Sequence, residues 1–183
     1  MLIVAAVIAI LVQSPVSEPS ARVQSAAERL AKATSLPDSE MFVARQTNLP
    51  PARLKSMEAA MVESQADAAG LRSALAAAYA RHLTLAEIEA ATEFFESPLG
   101  ASFERKMLKR QGEAFTADET RAAQAFFQSP TGKAFQAKWP AIGEDIRPVL
   151  KTFSDKLIGR AQAIHCRTTS ECGPFFEKPK PKP

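Results

Sequence analysis

"FFESPLG" at residues 94–100 returns as "FFQSPTG" at residues 126–132, an offset of 32 positions. The likeness runs wider than the phrase. Over residues 84–107 the same shift pairs Thr84 with Thr116, Glu87 with Glu119, Ala90 with Ala122 and Ala91 with Ala123. It continues through Phe94/Phe126, Phe95/Phe127, Ser97/Ser129, Pro98/Pro130, Gly100/Gly132, Phe103/Phe135 and Lys106/Lys138. Eleven identities in twenty-four positions mark an internal duplication. Two copies are too few for a solenoid, which needs about three repeats to bury a continuous core, so the units should fold into one bundle.

Each repeated residue has a folding task. Thr84-x-x-Glu87 and Thr116-x-x-Glu119 are capping boxes, in which hydroxyl and carboxylate each satisfy an orphan backbone N–H at a helix start. Phe94, Phe95, Phe126 and Phe127 lie on wide apolar faces that other helices must cover. A residue before proline is pushed out of the helical region, so each first helix stops at Ser97 or Ser129. The same serine can cap the next helix, with proline at its first position. Gly100 and Gly132 then fall in the new first turn, where lack of a side chain permits close approach of the two helices. Leu99, Phe103 and Met107 continue an apolar stripe repeated as Thr131, Phe135 and Trp139. Lys106 and Lys138 sit near helix ends, where a cation suits the helix dipole, and Pro140 should close the second unit.

The copies differ on the remaining face. Glu89, Glu93 and Glu96 in the first become Arg121, Ala125 and Gln128 in the second, as expected of a solvated surface. A duplicated catalytic site would keep polar groups; this duplication keeps cap, hinge and phenylalanines.

Outside the repeats the periodicity is also helical. A pattern begins near Ser20 with Val23, Ala26, Ala27, Leu30 and Ala33, and a short helix passes through Met41 and Phe42. Another starts at Pro50–Pro51 and carries Leu54, Met57, Met61 and Val62, and one from Ala68 runs through Leu71, Leu75, Tyr79 and His82. After Pro140 comes the longest stretch, from Ile142 to Ile164, with a kink or fresh start at Pro148. No segment alternates with period two. The expected fold is therefore all-α, a single bundle built around two helix-hinge-helix units, with no sheet.

The 183 residues divide into an N-terminal apolar segment (1–19), a helical domain (20–165) and a tail (166–183). "LIVAAVIAILV" has signal-peptide length and falls short of the roughly 20 residues that span a bilayer. No Lys or Arg precedes it and no clean cleavage site follows, so it is read as a signal peptide or a short apolar segment, placing the protein in the periplasm or outside the cell. The net charge of +3, interleaved along the helices, does not suggest nucleic-acid binding. Cys166 and Cys172 fit a small disulfide in an oxidising compartment, closing a turn ahead of a solvated Pro/Lys tail. A metal site from His165, Cys166, Cys172 and Glu171 fits no standard zinc spacing.

The phrase F-F-x-S-P-x-G-x-x-F, with its Thr-x-x-Glu helix start and the preceding Tyr-bearing helix "AAAYARHLT", resembles the bacterial domain of unknown function 2059 family. The resemblance covers about residues 68–142 and implies an all-helical, exported protein. It carries no activity to transfer.

Neither a catalytic nor a cofactor motif is present in the sequence. His82, ahead of the Thr84 cap, reads as a helix-end cation or packing residue rather than a general base. The function expected is non-enzymatic, binding an unknown protein partner or maintaining the envelope. One alternative is a carrier of a small apolar ligand such as lipid. A second is a hydrolase, which would need two acids with opposed pKa shifts converging in one cleft.

Overall fold

The computed structural model describes residues 19–34, 49–109 and 114–175, and it is all-α. The apolar segment before residue 19, the short helix around Met41 and Phe42 and the tail beyond residue 175 lie outside the described residues. Seven helices occur among those described: α1 (Ala21–Ala33), α2 (Pro51–Glu63), α3 (Gln65–His82), α4 (Leu85–Glu96), α5 (Pro98–Lys109), α6 (Ala117–Gln128) and α7 (Pro130–Thr169). No described helix is long and apolar enough to cross a membrane.

Local chemistry sets the repeat boundaries. The backbone N–H of Thr84 donates to Glu87 Oε2 at 2.7 Å while that of Glu87 donates to Thr84 Oγ1 at 3.3 Å. Thr116 and Glu119 make the same two bonds at 2.7 and 3.2 Å. Ser97 ends α4 in extended geometry, and its hydroxyl accepts from Gly100 N–H at 3.0 Å while donating to Phe94 C=O at 2.6 Å. Ser129 does likewise between Gly132 and Phe126, at 3.0 and 2.7 Å. One serine thus stops one helix and starts the next. A methyl group placed on Gly100 would overlap the Phe94 carbonyl oxygen and come within 2.7 Å of its carbon, and Gly132 stands in the same relation to Phe126. The sharp reversal requires glycine at both positions.

The two units are related by exchange, as in a two-fold dimer. Phe94 and Phe126, the same position in each copy, stack on one another with centroids 4.6 Å apart and planes 4° from parallel. Contacts on either side come in matched pairs. Phe94–Phe103 (6.2 Å, 61°) mirrors Phe126–Phe135 (6.1 Å, 59°), and Phe103–Phe127 (6.0 Å, 53°) mirrors Phe95–Phe135 (6.1 Å, 52°). The lysines follow the same rule. Lys106 Nζ donates to Glu119 at 2.8 Å and Lys138 Nζ to Glu87 at 2.6 Å, so each copy's lysine reaches the other copy's cap. The helix-dipole role read from their position gives way to this ion pairing, because the partner helix start lies within reach.

The faces that differ between copies are where α1 docks. Arg22 pairs with Glu89 at 3.3 Å and Arg29 with Glu96, two contacts one heptad apart on each helix. The acids read as a solvated face are therefore the register of the α1–α4 contact, and Ile88 and Thr92 are buried near it. Their equivalents, Thr120 and Gln124, are exposed. Tyr79 is fully buried in the same core, with its hydroxyl 3.0 Å from that of Thr34.

Pro140 does not close the second unit. Helix α7 runs unbroken for 40 residues with Pro140 and Pro148 inside it and ends at Thr169, beyond His165. A proline removes the bond to the carbonyl four residues back, usually costing about 3 kcal/mol in a helix interior. Here both prolines and both released carbonyl residues, Gln136 and Glu144, lie on the exposed side, where water can satisfy them. Buried Phe135, Ile142, Leu157 and Ile164 hold the rod on its other side. Its far half packs with α2 in a second core of Met57, Ala60, Met61, Leu157, Ala161, Ile164 and Phe175, while Val62 points to solvent.

Candidate functional site

Helix α5 packs chiefly against α4 and α6; its two-fold mate, the start of α7, packs on α6 and α4 in the same way and also receives Tyr79 of α3. Tyr79 of α3 lies 6.3 Å from Phe135 and 6.5 Å from Trp139, with Leu83 in the same core. Phe135 and Leu83 are each 5% exposed. At the equivalent positions Phe103 is half-buried, Met107 is 55% exposed and Phe115, ahead of α6, is 39% exposed; Leu99, at the start of α5, is 40% exposed. Phe115 corresponds to Leu83 and stacks on Phe103 at 4.9 Å. The stripe expected to continue the core is thus half core and half surface. Trp139, too, keeps its edge in solvent despite Tyr79.

Glu104 of α5 lies near buried Tyr79, whose hydroxyl pKa burial, first, and the Glu104 charge both raise. It is partly buried, has no hydrogen-bond or ion-pair partner among the described residues, and burial pushes its carboxyl up to about 7. Glu119 goes the other way, down to about 2, held by the Lys106 ammonium, the Ser102 hydroxyl and the Thr116 N–H. This is an opposed pair of acids, but the two do not share a cleft. Glu119 faces Ser102 and Lys106, and Glu104 sits two residues from each, about 160° round α5.

Elsewhere the polar clusters tie helices together. His82 Nε2 lies 2.9 Å and Arg81 Nη1 2.6 Å from Asp145 Oδ2, a clamp from α3 to α7. His82, first, and Arg81 hold the Asp145 carboxyl below the usual range. Asp67 joins α3 to α7 through Lys156 and Arg160, at 3.3 and 2.5 Å. Near the end of α7, Ser56 Oγ is 3.5 Å from His165 Nδ1 and Glu171 Oε2 is 3.5 Å from His165 Nε2. This serine–histidine–acid row was not foreseen, since its members are far apart in sequence. Ser56 is buried and its hydroxyl donates to Ala52 C=O at 2.9 Å, which leaves no free nucleophile. Cys166 and Cys172 are brought into disulfide contact with Cα atoms 4.5 Å apart, so neither sulfur is offered to a metal. Phe175 then docks edge-on to His165 at 6.1 Å, and its carbonyl accepts from Arg53 at 2.7 Å.

Two of the surface grooves are lined by described residues. One, of about 630 Å³, lies between α1 and α4 and is lined by the Arg22/Glu89 and Arg29/Glu96 pairs with Ser25 and Glu93. The other, of about 320 Å³, lies between α2 and α7 and is lined mainly by Ala52, Ala59, Ile164 and Lys55.

Residues 69–112 and again 101–150 match the family described as "Uncharacterized protein conserved in bacteria (DUF2059)". The two matches begin 32 residues apart (101 − 69), the offset of the duplication. Residues 69–150, a little under half of the chain, are thus similar to that family. No curated protein and no solved structure matches the chain.

Proposed function

We propose that this protein is a non-enzymatic helical module of the bacterial envelope that docks a protein partner on the exposed face of α5. One observation carries the reading: of two stripes related by exchange, one has Phe135 buried against Tyr79, whereas the other leaves Leu99 and Met107 exposed. Apolar side chains left in water on an otherwise well-packed repeat mark an interaction surface. Export is supported by the apolar run at residues 2–12 and by a cysteine pair placed for a disulfide. The hydrolase reading is disfavoured by the separation of Glu104 from Glu119. The test is a photo-crosslinking amino acid at Met107 in living cells, with Lys151, exposed on α7, as the control position. A protein adduct at position 107 and none at 151 is expected; no adduct at 107 would remove the reading.

The α2–α7 groove favours a second reading, an apolar ligand with an anionic head near Lys55. Native mass spectrometry of protein purified from its own envelope would show that ligand as a fixed mass increment.

A further inference from the structure

We infer that residues 170–175 form a redox-sensitive latch: the Cys166–Cys172 bridge holds Phe175 as a plug over His165 and the second core, and reduction by a dithiol releases the plug while the rest of the fold stays intact. The inference stands apart from the docking reading on α5.

What the bridge can constrain follows from its span. Its cysteines are six positions apart, one in the last turn of α7 and one just beyond the helix. So short a link ties no two helices together. It fixes the direction in which the chain leaves α7, and therefore where Phe175 lands. Ser170 makes that reversal with φ 62°, the only positive φ among the described non-glycine residues. Residues 171–174 are all exposed, yet Phe175 at their end is 2% exposed, in the cluster of Met57, Met61, Leu157 and Ile164. A buried ring at the end of an exposed strap is a plug, and Arg53 of α2 keys it by donating to its carbonyl at 2.7 Å.

His165 gives the latch its bias. The residue is 3% exposed and its Nε2 has no hydrogen-bond partner among the described residues, since Glu171 Oε2 at 3.5 Å lacks hydrogen-bond geometry. Phe175 meets that imidazole edge-on at 6.1 Å and shuts water out. A buried nitrogen without a partner is a cost of the closed form, and water removes it once the ring lifts. Without the bridge the loop-closure restraint is gone, and both the unsatisfied nitrogen and the left-handed Ser170 favour opening. The α2–α7 groove shares Ile164 with the second core, so opening extends that groove into the vacated seat.

The exchange balances with a dithiol alone. Its thiolate attacks Sγ of Cys172, the more exposed of the two cysteines; the S–S bond breaks, and Cys166 leaves as a thiolate and takes up a proton. The reductant's second thiol then displaces Cys172. The protein keeps two thiols, and the reductant departs oxidised as its own disulfide.

The test labels imidazoles with diethyl pyrocarbonate near neutral pH in the full-length protein purified without reductant, read residue by residue by mass spectrometry. His82, half-buried on α3 and outside the second core, is the internal standard for His165. Labelling of a buried group follows the population of its open form, so reduction with dithiothreitol and alkylation should speed His165 at least about tenfold and leave His82 unchanged. Cys172→Ser, which removes the bridge without adding an alkyl group, should give the same rate. Phe175→Ala should speed His165 with the bridge intact, because the ring is the cover. Circular dichroism reports the helix content of each form. An unchanged His165 rate after reduction and in Cys172→Ser overturns the inference, as does fast labelling of His165 in the oxidised protein. Equal acceleration of both histidines with loss of helix also overturns it, since the bridge would then hold the whole fold. A wild-type rate in Phe175→Ala would mean that another group covers His165, and the latch would fall with its plug.

Discussion

Phe94 and Phe126 occupy the same position in two copies of one motif, and they meet face to face with their planes 4° from parallel. A residue that stacks on its own duplicate lies on the exchange axis. The Phe94–Phe103 and Phe103–Phe127 contacts on one side of that stack have counterparts in Phe126–Phe135 and Phe95–Phe135 on the other. The Lys–Glu pairs at 2.8 and 2.6 Å are the polar expression of the same arrangement.

Gly100→Val and Gly132→Val should each destabilise the protein by about 1–3 kcal/mol or more, because the neighbour that must yield is backbone. The two effects should not add, since both displace the Phe94–Phe126 stack. Urea unfolding of the single and double variants measures this. Wild-type stability in both singles would remove the close-approach argument.

Acid should loosen the cross-copy pairs in a defined window. The folded Glu119 carboxyl sits at about 2, below the roughly 4.3 of an unfolded glutamate. Its stabilisation is therefore present above pH ~4.3 and lost as pH falls toward 2. Glu119→Gln should lower the urea midpoint at pH 7, and the gap from wild type should close on acidification. A gap of constant size down to pH 2 would mean that the carboxylate's charge contributes nothing.

Glu104 should show the opposite slope. Burial raises its folded pKa to about 7, so its folded form is favoured below pH ~4.3 and loses ground as pH rises through 7. Glu104→Gln should match wild type near pH 4 and exceed it in thermal stability near pH 8. Equal stability at both pH values would place the carboxylate in contact with water instead.

Thiol labelling of protein purified without reductant should find no free cysteine, since Cys166 and Cys172 face each other across a short loop. Closing a loop this short is worth about 2 kcal/mol in the chain-entropy account. Reduction should accordingly lower the melting temperature and release Phe175 from the second core. Complete labelling would refute the disulfide.

What the sequence revealed was what is local. Thr84, Glu87, Ser97, Pro98 and Gly100 act on neighbours within three or four residues, so their roles could be read from spacing alone, and the helical class followed. Pairing across the fold was less accessible. Lys106 and Glu119 look like two unrelated charges until the chain reverses, although the identical pair at 138 and 87 was a signal that they meet. Arg22 and Arg29, seven residues apart, could have been matched to Glu89 and Glu96 at the same spacing. The α5 face was not legible, because Met107 and Phe135 both satisfy the i, i+4 pattern, and only the position of Tyr79 leaves Phe135 buried while Met107 is exposed. Pro140 misled because the exposure of its missing bond cannot be read from spacing.

The unbroken α7 has a mechanical consequence. Forty residues at 1.5 Å each make a strut about 60 Å long, about twice the width of a small domain. Its first third is gripped by the phenylalanine cluster and its last third by the methionine cluster under α2. A load applied at the disulfide end would reach the repeats along one stiff member, while the two grips could still fray separately, each at its own rate in amide hydrogen exchange.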